Sequence, residues 1–362
     1  MDKKRYLPVG VFILVMILLQ LFFLITGTDY FLKEVTQAMY YTLVVVGLCL
    51  LMGYAGQISM GHAGFFAIGG YTTAVLTTNN LLDKANFPIV IFLKSLGLVI
   101  ERQDLYGQDL LVFSPWAAFI LAILITVLVS YIIGSAVIRL KGHYLAMATL
   151  GFGIIIFTII SAAKIFGQHD PITKVPPFKL FFGLEINGRL PFRVMNYYLA
   201  CFFLAFAAVL VINLINSRIG RAFKSIHGNE GAANSLGIDT AKHKLSAFML
   251  SAVFAAVAGV FMTHYNAAIG PSEVSITKSI RYVAIVAVGG MSNIWGTVSM
   301  GILLNFLSLR GFFGKYDDLI FGIILIAVMV FAPEGLLQPS KLKMFKNMVF
   351  RLFKREKNGR AS

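Results

Sequence analysis

Residues 53–76 read GYAGQISMGHAGFFAIGGYTTAVL. The stretch is apolar enough to enter a membrane, yet Gly53, Gly56, Gln57, Ser59, Gly61 and His62 break its start. In lipid every backbone N–H and C=O must find a partner inside the protein. Polar, glycine-rich backbone at that depth survives only where other helices bury it or where it faces a water-filled path. Interrupted spans of this kind point to transport sites. Gly56, Gln57, Ser59 and His62 are therefore read as lining or supporting a translocation path or gate. Tight helix packing on small residues is the alternative for the glycines, and a hydrogen-bonded core side chain the alternative for His62.

The rest of the chain surrounds this break with more apolar sequence. Of its 362 residues, 58% are hydrophobic and 13% charged, where a soluble domain carries about a quarter charged residues. The fold class is an all-α polytopic membrane protein. Ten spans are expected, at 7–26, 35–53, 61–78, 115–138, 144–163, 196–215, 244–263, 278–291, 295–309 and 318–332, the eighth and ninth being short and joined by glycine-rich sequence. Residues 1–338 form the membrane domain. Residues 339–362 form a basic tail whose apolar positions within 341–355 share one helical face, so it either lies on an anionic membrane surface or is plainly solvated. The first stretch, near twenty residues, is too long for a signal-peptide core and is read as a retained span.

The net charge of +15 raises nucleic acid as a partner, but the distribution argues against it. With the N-terminus inside, the segments assigned to the cytoplasm hold 18 of the 31 basic residues and five of the 16 acidic ones. This is the positive-inside pattern, which puts both termini in the cytoplasm. Two long loops then face outward. In 79–114 an apolar run, 87–100, is too short to cross and is expected as an interfacial or re-entrant helix. In 166–195 four prolines predict an irregular cap.

Absent motifs narrow the chemistry. No G-x-x-x-x-G-K-[ST] occurs, and GFFGK at 311–315 has the wrong spacing, so the chain carries no nucleotide-binding loop of its own. No metal-ligand or dinucleotide signature is present, and Cys49 and Cys201 read as buried thiols. No cofactor, metal or catalytic residue is expected. Ionisable residues are nearly missing from the spans; Lys164, Lys278, Arg281 and Arg310 stand near span ends, where long side chains snorkel. An ion-coupled carrier needs an intramembrane relay, so the energy source must lie elsewhere. The inner loop 216–243 offers one route. Asn229 caps a short helix, Glu230 favours its positive end, and Gly237 suits a left-handed stop. Such a helix either docks a separate soluble subunit or rests on the membrane surface. A weak internal repeat, GQISMG at 56–61 and GTVSMG at 296–301, places the same pattern at the inner start of two outward-going spans.

Taken together, GYAGQISMGHAGFFAIGGY (53–71), RLKGHYLAMATLGFG (139–153), SRIGRAFKSIHGNEGAANSLGIDTAKHKLSAFMLSA (217–252), AGVFMTHYNAAIGP (258–271), VGGMSNIWG (288–296) and APEGLL (332–337) resemble the LivM-type permease of branched-chain amino-acid ABC importers, over roughly residues 35–338. The resemblance implies import of a small zwitterionic solute across a prokaryotic inner membrane. It also implies two ATP-binding cassette subunits that bind the ATP, a second homologous permease and an extracytoplasmic solute-binding protein, with no nucleic acid involved. It carries the ATPase-coupling role to Glu230, Ala232, Ala233 and Gly237. Gly56-Gln57 favours the amino-acid branch over related urea permeases. Gly231, Ser292 and Arg281-Tyr282 depart from the family pattern, as does the long loop 79–114. A urea or short-chain amide permease, a stand-alone channel or carrier, and a membrane enzyme or scaffold are the competing readings.

Overall fold

The computed structural model describes residues 6–82, 87–103, 109–140, 142–312 and 314–331; the basic tail and APEGLL lie outside them. Helix α1 spans Leu7–Ile25 and α2 Phe31–Leu48, which runs on through a π-helical turn, Cys49–Tyr54. After an irregular stretch α3 covers His62–Thr78. A short helix α4, Pro88–Ser95, and an antiparallel hairpin of β1, Val99–Gln103, and β2, Asp109–Phe113, follow. Then come α5, Pro115–Val137, and α6, His143–Ala162. The next connection holds three two-residue strands, β3 (Ile172–Thr173), β4 (Phe178–Lys179) and β5 (Glu185–Ile186). The remainder is α7 (Arg193–Ile215), α8 (Arg218–Gly228), α9 (Glu230–Ser235), α10 (Thr240–Asn266), β6 (Ala268–Ile269), α11 (Ile276–Gly289), α12 (Ile294–Leu309) and α13 (Asp317–Phe331).

A helix stands at each of the ten stretches expected to span. Six are long and apolar enough to cross a membrane: α1, α2 with its π-helical turn, α5, α6, α7 and α10. The chain is a polytopic all-α membrane protein. At 17, 14, 16 and 15 residues, α3, α11, α12 and α13 are shorter.

The ends of these helices collect on two faces. One holds α8 and α9, where Tyr6 Oη donates to Asn213 Oδ1 at 2.6 Å and Tyr54 Oη to the Ser292 carbonyl at 2.7 Å. The other holds the β1–β2 hairpin, with Arg193 bound to Asp29 at 2.6 Å.

α2 forms the centre and is enclosed almost completely. Around it pack α3, α7, α10, α11 and α12. α3 and α10 meet so closely that a Cβ on Gly259 would stand 2.0 Å from the Phe66 carbonyl oxygen. In lipid, small residues that let backbones touch replace the hydrophobic drive that packs soluble helices. α1 leans on α7 through Tyr197 Oη to the Met16 carbonyl at 2.7 Å, and otherwise presents exposed Leu, Ile and Val.

Two loop expectations change. The apolar run 87–100 is not one helix: Gly97, at φ +69°, turns the chain after α4, and its last residues enter β1. Lys94 and Glu101 close this turn at 2.6 Å, and the ammonium holds the Glu101 carboxyl below its usual range. The Pro-rich loop is irregular as expected but anchored, because β3 pairs with β6 beyond α10 and β4 pairs with β5. The two repeat-like hexapeptides also differ: 56–61 has no regular structure, while 296–301 is helical.

Candidate functional site

The break between α2 and α3 begins with the π-helical turn, where the Ala55 amide reaches back to Leu50 O at 3.3 Å. Such widened turns recur at functional sites. Gly56 then takes φ +68°, a conformation that costs glycine nothing, and residues 56–61 run without regular structure to the start of α3. Gly53 lies against the α11–α12 turn so closely that a Cβ would sit 1.6 Å from Met291 O.

Backbone groups freed by the break are met by three hydroxyls from other parts of the chain. The Met60 amide donates to Thr149 Oγ1 of α6 at 3.0 Å, and the Ala63 amide to Ser279 Oγ of α11 at 3.2 Å. Ser292 Oγ, on the α11–α12 turn, donates to Gly53 O at 2.9 Å. Cys49 Sγ donates to Met291 O at 3.2 Å, binding the same two breaks together. A buried or lipid-facing backbone group left alone costs on the order of 1–3 kcal/mol, so these contacts permit the interruption.

His62 is fully buried at the first turn of α3. Its Nε2 lies 2.7 Å from Ser251 Oγ of α10 and its Nδ1 3.2 Å from Ser59 Oγ. Phe65 and Phe248 present ring edges to it. Both ring nitrogens are engaged, so His62 clamps the broken segment to α10. Gln57 behaves differently. It is 3% exposed, and neither its amide nitrogen nor its oxygen has a hydrogen-bond partner.

On the same face α8 and α9 form a helix pair. Asn229 Oδ1 accepts from the Ala232 amide at 3.0 Å and Gly237 adopts φ +81°, the cap and stop expected. The four residues to which the resemblance carries the coupling role, Glu230, Ala232, Ala233 and Gly237, differ in their surroundings. Ala233 is buried against its own chain, and Glu230 pairs with Lys244 of α10 at 2.6 Å. Ala232 is exposed, and Leu236, just beyond the helix, is 81% exposed. Gly56, Gln57, His227, Glu230 and Lys244 line one cavity of about 120 Å³. The break and the α8–α9 pair, proposed separately from sequence, therefore adjoin. Lys244 and Ser251 stand seven residues apart on α10, about two turns and the same face. One helix thus holds Glu230 of α9 at one position and His62 of α3 at the other.

On the hairpin face a cavity of about 580 Å³ is lined by Lys33, Arg102, Lys174, Arg189, His264 and Asn266, among others. Its His264 donates from Nδ1 to Pro176 O at 2.6 Å. Among the described residues no group of three or more His, Cys, Asp or Glu is placed to hold a metal ion. Lys278 and Arg281 do not snorkel as expected. Lys278 pairs with Glu273 at 3.3 Å, and Arg281 with Asp317 at 2.7 Å and Asp318 at 3.0 Å. Sequence reasoning also missed Thr149, Ser251, Ser279 and Leu236. A serine or threonine in an apolar helix is a weak signal, since it also bonds its own turn, as Thr149 does to Leu145 O.

Comparison with known proteins places this arrangement. Residues 30–329 match the family model described as the branched-chain amino acid transport system / permease component. The high-affinity branched-chain amino acid transport system permease protein LivM of Salmonella typhimurium is 28% identical over 328 residues, covering 84% of this chain and 69% of the relative. LivH of the same organism is 24% identical over 324 residues, covering 85% and 96%. A probable LivM of Methanocaldococcus jannaschii is 23% identical over 330 residues, covering 83% and 91%. No solved structure matches the chain. The chain belongs to the family of branched-chain amino acid transport system permease components.

Proposed function

We propose that the chain is a non-enzymatic permease subunit of an ABC importer. It passes branched-chain amino acids into the cytoplasm while separate subunits hydrolyse ATP. The ten helices build its part of a prokaryotic inner membrane, with the α8–α9 face in the cytoplasm and the hairpin face toward the solute-binding protein. A second, homologous permease completes the membrane part, and of two ATPase subunits one docks on the α8–α9 pair through Ala232 and Leu236. Gly56, Gln57, Ser59 and His62 form the gate region.

The observation that carries this reading is the double engagement of α10. A push on α9 reaches α10 through the Glu230–Lys244 ion pair and reaches α3 through Ser251 and His62. The interrupted segment is where such a push has the least regular structure to overcome. The small cavity beside Gln57 gives α9 and the break room to move relative to each other. Glu230 then acts inside the subunit, as the joint between docking helix and span, and Ala233 supports the helix from beneath.

Leu236→Arg tests the docking surface without touching the core, because the side chain is 81% exposed. The complex is purified with its ATPases and reconstituted in liposomes. Loss of ATPase co-purification or of solute-stimulated hydrolysis is expected. Retention of both at the unmodified level removes this surface as the coupling site.

A further inference from the structure

We propose that Tyr41, Tyr71, Glu273, Lys278 and Tyr282 form a waypoint inside the subunit that takes the two charged ends of a zwitterionic solute; this rests on the import reading above. The site exists because α10 does not hand over directly to another full span. Ala267 turns the chain at φ +54°, β6 follows, and a tight 3₁₀ turn, Pro271–Val274, leads into α11. This non-helical stretch packs against the middle of α3, where a Cβ on Gly70 would meet Ile269 Cδ1 at 2.4 Å. α11 starts from that level, which accounts for its 14 residues. Irregular backbone at membrane depth is tolerated where protein buries it or where it lines a cavity.

Tyr41 stands ten residues into α2, about 15 Å along it. Its hydroxyl donates to Glu273 Oε2 at 2.8 Å. The Lys278 ammonium lies 3.2 Å from the same hydroxyl, 3.3 Å from the carboxylate, and 4.4 Å above the Tyr41 ring. Ionisable groups at such depth are costly to keep and default to function. The pair is not sealed: the Lys278 and Glu273 side chains are 19% and 22% exposed. Two further hydroxyls, of Tyr71 and Tyr282, are buried with no hydrogen-bond partner. The Tyr282 ring lies 6.4 Å from the Tyr41 ring, and Tyr71 shares a buried cluster with Val274, the neighbour of Glu273. A native chain rarely leaves buried hydroxyls idle, and the waypoint gives these two a use.

An α-amino acid supplies what the site lacks. Its ammonium replaces Lys278 on the Glu273 carboxylate, and its carboxylate replaces Glu273 on the Lys278 ammonium. The tyrosine hydroxyls turn toward the new oxygens and complete the shell. Each fixed charge exchanges one opposite partner for another, so the net charge of the site is constant and neither ion is left bare at any point. A neutral amide such as urea cannot split the pair in this way. Arg281, one turn further along α11, is held by Asp317 and Asp318 and so leaves Lys278 as the cation of the site.

The test uses the whole importer in liposomes with its binding protein. Tyr71→Phe and Tyr282→Phe remove only the idle hydroxyls, so as purely structural residues they leave import unchanged. The proposal expects import turnover to fall about tenfold in each, the size of one charge-assisted hydrogen bond. A leucine analogue carrying a side-chain diazirine, photolysed during turnover, is expected to label α2, α3 or α11 beside these tyrosines. Glu273→Gln is expected to abolish that label. Import at the unmodified rate in both phenylalanine variants, or label found only elsewhere, overturns the waypoint. A wild-type complex that imports none of leucine, isoleucine or valine gives a different result: it refutes the import reading and the waypoint with it.

Discussion

Gly53→Ala adds a single methyl group at the meeting of the two broken regions. In an ordinary helix interior the change stabilises by up to about 1 kcal/mol. Here the new Cβ would stand 1.6 Å from Met291 O and 2.4 Å from its carbonyl carbon. Ordinary contact begins near 3.4 Å, so backbone must retreat by about 1.8 Å, and no flexible side-chain end is available to do so. That displacement takes Ser292 Oγ from Gly53 O, Tyr54 Oη from Ser292 O, and Cys49 Sγ from Met291 O, now at 2.9, 2.7 and 3.2 Å. At about 1 kcal/mol each, roughly 3 kcal/mol is lost, which exceeds the propensity gain. Gly151→Ala in α6 is the control, since nothing lies within 4 Å of its added methyl. Thermal unfolding in detergent is expected to show Gly53→Ala lowered by on the order of 5 °C and Gly151→Ala unchanged or raised, with uptake lost only in the first. Equal melting temperatures and normal uptake in both variants would show that the close approach carries no energy.

Other consequences are measurable with single substitutions. Gln57→Leu removes two unpartnered polar atoms; if packing were their only purpose the variant would be as stable and as active, and the gate reading expects normal expression with uptake reduced about tenfold or more. Thr149→Val deprives the Met60 amide of its acceptor and is expected to destabilise by about 1–3 kcal/mol, with Thr149→Ser restoring the melting temperature; a silent Thr149→Val denies the hydroxyl its role. Glu230→Gln leaves Lys244 largely buried without its counter-charge, and because Glu230 is 31% exposed the expected cost is about 1–2 kcal/mol. It is read as ATP hydrolysis continuing while import falls; unchanged coupling between the two counts against the ion pair as a joint. Cysteines at Gln168 and Asn229 are expected to react oppositely with an impermeant reagent in intact cells, and labelling of position 229 from outside reverses the proposed orientation.

Runs of apolar residues located every long helix, because lipid imposes one length and one composition on each span. The cap at Asn229 and the stop at Gly237 were equally legible, since both act within one turn. Contacts that decide the break were not. Thr149 lies 89 residues from Met60, Ser279 lies 216 from Ala63, and Ser251 lies 189 from His62. A hydroxyl in an apolar helix carries no mark of which distant amide it serves. The same blindness sent Lys278 and Arg281 toward the membrane surface, although each has an acid of its own chain, and it hid the Glu230–Lys244 pair. Spacing alone does not orient α9. Over six residues too few positions exist to say which face is inward, and Ala233 turned out to be the buried one.

The borrowed hydroxyls also impose an order on biogenesis. Gly53 depends on Ser292, 239 residues later in the chain. At synthesis rates of about 5–20 residues per second, roughly 10 to 50 s separate the emergence of the two. During that interval the first three helices exist without the partners that make their interruption tolerable in hydrocarbon. The nascent segment 53–61 must therefore wait in a polar setting, at the headgroups or within the insertion machinery, and enter only as the last third of the chain arrives. A ribosome stalled before α11 should leave these residues open to water-borne reagents and proteases, and completion of the chain should close them.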